Sequence, residues 1–159
     1  MAFDLSFAST ISFITALWLL LAYSYLDLRE RRVKNQYIVE GVLTGVVMLL
    51  FTGHFWTFAV LHVTAIVLCV PLAYVLFRLG SIGGADAKVL LIVSFISPGI
   101  ELGIWTQPVM EAIVGLGLEL TIMLLGGYLY WKSKKTEGIP PLIPFLLVGY
   151  LAIQLLAVF

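Results

Sequence analysis

The chain has 159 residues, 62% hydrophobic and 11% charged, with 9 basic and 9 acidic residues that leave no formal net charge. Soluble domains carry about 25% charged residues, so this composition excludes a soluble globular domain and a disordered chain, and the lone Cys69 excludes a disulfide scaffold. With no basic excess to neutralise phosphates, nucleic acid is not an expected partner; what remains is an all-α polytopic membrane protein whose rare charges are its informative positions.

Residues 5–26 carry no charge and predict a first span, because about 20 apolar residues at 1.5 Å each cross the hydrocarbon layer. Residues 41–77 lack Lys, Arg, Asp and Glu. As one helix they would reach ~55 Å, too long for a single crossing. The cluster Thr52-Gly53-His54 predicts a break, giving helices over 37–52 and 55–77. A short fourth helix begins near Asp86 and covers 86–100, limited by Pro98-Gly99 and Glu101. A fifth covers 109–131, and a sixth covers 140–159, with Pro140 and Pro141 suited to its first turn. Six spans make residues 1–159 a single membrane-embedded domain. Asp4, with no cation before the first apolar run, does not read as part of a cleaved signal peptide.

All nine cations fall on one predicted face. Arg29, Arg31, Arg32 and Lys34 follow the first span, Arg78 and Lys88 flank the link between the third and fourth, and Lys132, Lys134 and Lys135 follow the fifth. The positive-inside rule makes that face cytoplasmic and places both termini outside.

Two acids, Asp27 and Asp86, fall at similar depth on the cytoplasmic side. The glycine-rich approach to Asp86, Gly80-Ser81-Ile82-Gly83-Gly84-Ala85, permits positive φ and close contact with another segment. Each acid has an ordinary reading: Asp27 as a solvated charge beside Arg29 and Arg31, Asp86 as a helix cap. Two adjacent carboxylates instead share one proton. The ionised member takes a proton from water while the protonated member hydrogen-bonds a peptide carbonyl, so a peptide bond is hydrolysed without metal or cofactor. Neither an HExxH helix nor a Gly-x-Ser-x-Gly elbow competes with this reading.

Among the other polar residues, Glu119 in the fifth span reads as an interhelical hydrogen-bonding carboxyl or as a substrate contact. Gly115, Gly117, Gly126 and Gly127 on that span permit close helix packing. His54 falls in an outside turn and His62 in the third span, hydrogen-bonded to a neighbouring helix. Asp4 and Glu101 are expected outside and Glu111 at the interface. Glu30, Glu40 and Glu137 are expected as solvated cytoplasmic charges able to receive a basic substrate.

Tyr25-Leu26-Asp27-Leu28-Arg29-Glu30-Arg31-Arg32-Val33-Lys34-Asn35 resembles the first active-site segment of the type IV prepilin peptidases and preflagellin (prearchaellin) peptidases. Gly83-Gly84-Ala85-Asp86-Ala87-Lys88 resembles their GxGD segment in the form common in archaeal members, and Pro140-Pro141-Leu142-Ile143-Pro144-Phe145 resembles the proline-rich opening of their last helix. The resemblance covers essentially the whole chain. It implies a membrane aspartic endopeptidase with Asp27 and Asp86 catalytic and Gly83 and Gly84 shaping the loop that presents Asp86. It also implies cleavage of the basic leader of prepilins or prearchaellins at the cytoplasmic membrane surface. Ala85 stands where a second glycine is usual, and Lys34-Asn35 replaces Pro-Asn. The cysteine-rich domain of many bacterial members is absent, which implies a minimal peptidase without methyltransferase activity. The rival reading is a small proton or cation carrier using Asp27, Asp86 and Glu119; it requires acids staggered across the bilayer.

Overall fold

The computed structural model describes residues 6–103, 105–134 and 140–156. Its elements are all helices: α1 (Phe7–Glu30), α2 (Asn35–Thr52), α3 (His54–Thr57), α4 (Ala59–Arg78), α5 (Gly84–Ile96), α6 (Pro108–Lys134) and α7 (Ile143–Leu155).

The helix ends follow from local chemistry. The Ser6 hydroxyl accepts the Ser9 N–H at 3.2 Å and caps α1. At the other end, Arg31 takes the left-handed conformation, φ 52°, and donates its N–H to the Asp27 carbonyl. The break expected at Thr52-Gly53-His54 is present, with Gly53 at φ 71° where glycine carries no Cβ penalty. Instead of a turn leading straight into the next span, the chain makes the short helix α3, and α4 starts only at Ala59.

The fourth and sixth helices differ from the expected 86–100 and 140–159. α5 ends at Ile96, because Pro98 disfavours helical geometry at Ser97, which sits at φ −139° and ψ 79°. Pro140 and Pro141 precede α7 rather than opening it; Pro144 occupies its first turn.

Four helices, α1, α2, α4 and α6, are long and apolar enough to cross a membrane. α5 and α7 have 13 residues each, ~20 Å of helix. Asp4, Lys135, Glu137 and the chain ends, for which the sequence sets expectations, lie outside the described residues.

The short α5 is the inner element, touching α1, α2, α4 and α7, while α7 lies between α1 and α6. One apolar core joins Leu20, Val89, Leu90, Met123, Leu146 and Tyr150 across these helices. Large apolar side chains also cover the outer faces, among them Trp18, Phe51, Val67 and Leu125. Such surfaces are stable against lipid; the protein is a multi-pass membrane protein.

Close packing depends on glycine where α6 meets α7. A Cβ on Gly149 would stand 3.1 Å from Glu119 Cα, and one on Gly126 or Gly127 would overlap Phe145 or Leu142. Gly117, expected to share this role, faces open space.

Candidate active site

Asp27 lies in the last turn of α1 and is 8% exposed. Its Oδ2 accepts the backbone N–H of Ile143, the first residue of α7, at 3.3 Å. That N–H is one of the donors a helix start leaves unpaired. Asp86 is in the first turn of α5 and 7% exposed. Its Oδ2 accepts the N–H of Gly83 at 2.9 Å, so it caps its own helix.

Each acid is therefore held at the start of a helix, Asp27 by α7 and Asp86 by α5. The two are close enough for the charge of Asp27 to act on Asp86, and the charge of Arg31 acts on Asp27. Among the described residues no hydrogen bond joins the two carboxyls.

The loops carrying these acids are pinned by apolar side chains. Val33 between α1 and α2, and Ile82 before α5, are buried in the main core. The positive φ in the glycine-rich approach belongs to Gly80, at 72°, and Gly83 has φ −75°. A Cβ at Gly83 would stand 2.8 Å from Asp86 Oδ2, so that carboxyl oxygen would have to shift. At Gly84 a Cβ would make only ordinary contact with Phe77, and Ala85 packs against the core. Asn35 and Lys88 also meet, with Lys88 Nζ donating to Asn35 Oδ1 at 2.7 Å, which ties the start of α2 to the first turns of α5.

Ser24 precedes Asp27 by about one turn and escaped the sequence reading. Its hydroxyl is buried and has no hydrogen-bond partner. An ordinary serine in an apolar run gives no signal of this; only the packing of α1 does. Two clefts flank this end of the bundle. A groove of about 420 Å³ between α1 and α2 is lined by Trp18, Tyr23, Tyr25, Tyr37 and Glu40. A second, of about 290 Å³, is lined by Gly80, Ser81, Tyr128, Trp131 and Pro140.

Glu119 is 5% exposed, and no hydrogen bond joins it to another described residue, so the expected interhelical bond is not made. Glu30 and Glu40 are exposed, as solvated charges would be.

At the other end, three residues read as outside or interfacial are buried. His54, Glu101 and Glu111 are 1%, 4% and 6% exposed. His54 Nε2 lies 2.8 Å from Glu101 Oε2, His54 Nδ1 lies 3.0 Å from His62 Nε2, and His62 Nδ1 donates to the Phe95 carbonyl at 2.8 Å. The neighbouring-helix hydrogen bond expected of His62 is thus present. Gln154 of α7 completes the set, accepting the Glu101 N–H and donating to the Gly99 carbonyl.

The sequence model of the type IV leader peptidase family matches residues 14–158, a stretch that includes both aspartates and the helices that hold them. No curated protein and no solved structure matches the chain. The match spans nearly the whole sequence, and the chain belongs to the type IV leader peptidase family.

Proposed function

We propose that the protein is an aspartic endopeptidase that removes the short basic leader from prepilin-like or prearchaellin precursors at the cytoplasmic face of the cell membrane. In this reading the chain crosses the membrane six times, with α5 and α7 as short inner crossings and both termini outside. The observation that carries it is the pair of buried carboxyls, each held by a backbone N–H at a helix start, with the charge of Asp27 acting on Asp86. Membership of a leader peptidase family supplies the reaction class.

Asp27 and Asp86 share one proton between them. The ionised carboxylate accepts a proton from the attacking water; the protonated carboxyl hydrogen-bonds the scissile carbonyl and later returns a proton to the leaving amine. The anchoring bonds from Ile143 and Gly83 fix the direction of each Oδ2, which leaves the rest of each carboxyl for water and substrate. Ser24 lies about one turn before Asp27, and its buried hydroxyl is without a hydrogen-bond partner among the described residues. The groove between α1 and α2 suits the start of the substrate's apolar helix, with exposed Glu40 and Glu30 towards its basic leader. The reaction needs neither metal nor cofactor, and the protein acts as a peptidase without methyltransferase activity.

The test is co-expression with candidate prepilins and prearchaellins, reading the leader-sized mobility shift. Asp27→Asn and Asp86→Asn each abolish the shift; normal processing by either variant defeats the assignment.

A further inference from the structure

We propose that the cleft beside His54, at the end of the bundle away from the aspartates, binds a small organic ammonium group. This cleft, of about 310 Å³, lies among α3, the start of α4, the segment before α6 and the start of α6. Its lining includes His54, Glu101, Glu111, Trp56, Phe58 and Trp105. It is separate from the proposed peptidase site. Ser12, hydrogen-bonded to Glu101 at 3.1 Å, and Asp27 lie on the same helix, ~22 Å apart at 1.5 Å per residue.

The hydrogen bonds decide which lining charge is free. His62 Nδ1 faces a carbonyl, so it carries a proton. One N–H must then lie between His62 and His54, and one proton between His54 and Glu101. With no further proton on Glu101 Oε1, the three bonds leave His62, His54 and Glu101 together neutral. Glu101 Oε1 also lies 3.1 Å from the Ser12 hydroxyl, which is 2.7 Å from the Ile96 carbonyl as well, so both oxygens of Glu101 face the network.

Glu111 is different. Its Oε1 accepts the Ile100 N–H at 2.8 Å, but its second oxygen has no hydrogen bond to a described residue. The side chain is held against Gly99, where a Cβ would overlap its carboxyl. No Lys or Arg lines the cleft among the described residues. Burial without a cation disfavours an ionised carboxyl, and a bound ammonium group beside Glu111 removes that cost. Trp56, Phe58 and Trp105 are among the lining residues, and aromatic rings attract ammonium groups. The volume is at the small end of ligand pockets, and the histidines and glutamates form no group of three suited to a metal ion among the described residues. A free amine and a lipid headgroup both offer the required ammonium.

The test follows tryptophan fluorescence of the purified full-length protein. In one arm, ethanolamine and choline are titrated in detergent. In the other, the protein is placed in phosphatidylglycerol nanodiscs with and without phosphatidylethanolamine. A saturable response in the first arm assigns a free amine; a response only to phosphatidylethanolamine assigns a headgroup, and both support the site. Glu111→Gln, which keeps an acceptor for the Ile100 N–H, weakens binding by at least about tenfold. Trp105→Leu, which leaves the cleft's hydrogen bonds in place, does the same. The uncharged choline isostere 3,3-dimethylbutanol gives no saturable response. The proposal is overturned if neither arm responds, if the isostere binds as well as choline, or if both variants bind like the parent.

Discussion

The two aspartates at one end of the bundle and Glu101 at the other are held in opposite ways. At one end, Asp27 and Asp86 are each anchored by a backbone N–H, with no side-chain partner between them. At the other, Glu101 is bound by His54 and Ser12, and the chain of bonds continues through His62 to a backbone carbonyl. A carboxyl held by its backbone is oriented yet keeps capacity for water and substrate. A carboxyl closed into a side-chain network is committed to structure. The first arrangement suits proton transfer, and the second ties α1, α3, α4 and the segment before α6 together.

Substitutions at the two ends should therefore separate activity from stability. The largest effect is expected at the aspartates: Asp27→Asn or Asp86→Asn lowers kcat/KM for leader cleavage by about 10²–10⁴-fold or more, with the thermal midpoint little changed. The parent enzyme should give a bell-shaped plot of kcat/KM against pH, because only the singly protonated pair is active. A rate that climbs steadily into alkaline pH contradicts a shared proton.

His54→Ala tests the other end. It strands Glu101 without its partner and should cost ~3 kcal/mol of stability in a denaturant titration, leaving cleavage at permissive temperature near normal. Loss of cleavage without loss of stability would collapse the distinction between the ends. A smaller effect is expected at Gly83→Ala, whose Cβ meets Asp86 Oδ2 at 2.8 Å; displacing that carboxyl should lower kcat/KM by about tenfold. The smallest is Ser24→Ala. It removes a buried hydroxyl with no partner, so stability should hold or rise by up to ~1 kcal/mol, while kcat/KM falls a few-fold.

The aspartate end was largely legible in the sequence, and the histidine end was not. Asp27 and Asp86 stand out because charges are rare and their neighbours resemble family segments. The link between Asn35 and Lys88 joins two residues already singled out, although nothing local predicts that they touch. Glu101 and Glu111 looked like outside and interfacial charges because each sits beside a break in apolar sequence. The burial of Glu101 depends on a partner far along the chain, His54, 47 residues away, and that of Glu111 on the Ile100 N–H 11 residues before it. Helical periodicity carries no record of such pairings. The long helices were placed well from charge-free runs. The ends of α5 and the start of α7 were not, because proline acts on the residue before it as well as at its own position. The glycines were only partly interpretable: a Cβ at Gly83 would shift the Asp86 carboxyl oxygen, while Gly80 supplies the positive φ.

The inner position of α5 has a consequence for how the enzyme is made. This helix is short, and its neighbours include α1, α2 and α4, synthesised before it, and α7, synthesised after it. Asp27 likewise receives its anchoring N–H from Ile143 of α7. A nascent chain that has emerged only as far as α6 carries both aspartates but lacks one wall of α5 and the donor that orients Asp27. In the proposed mechanism the oriented pair of aspartates therefore forms only once α7 has been made.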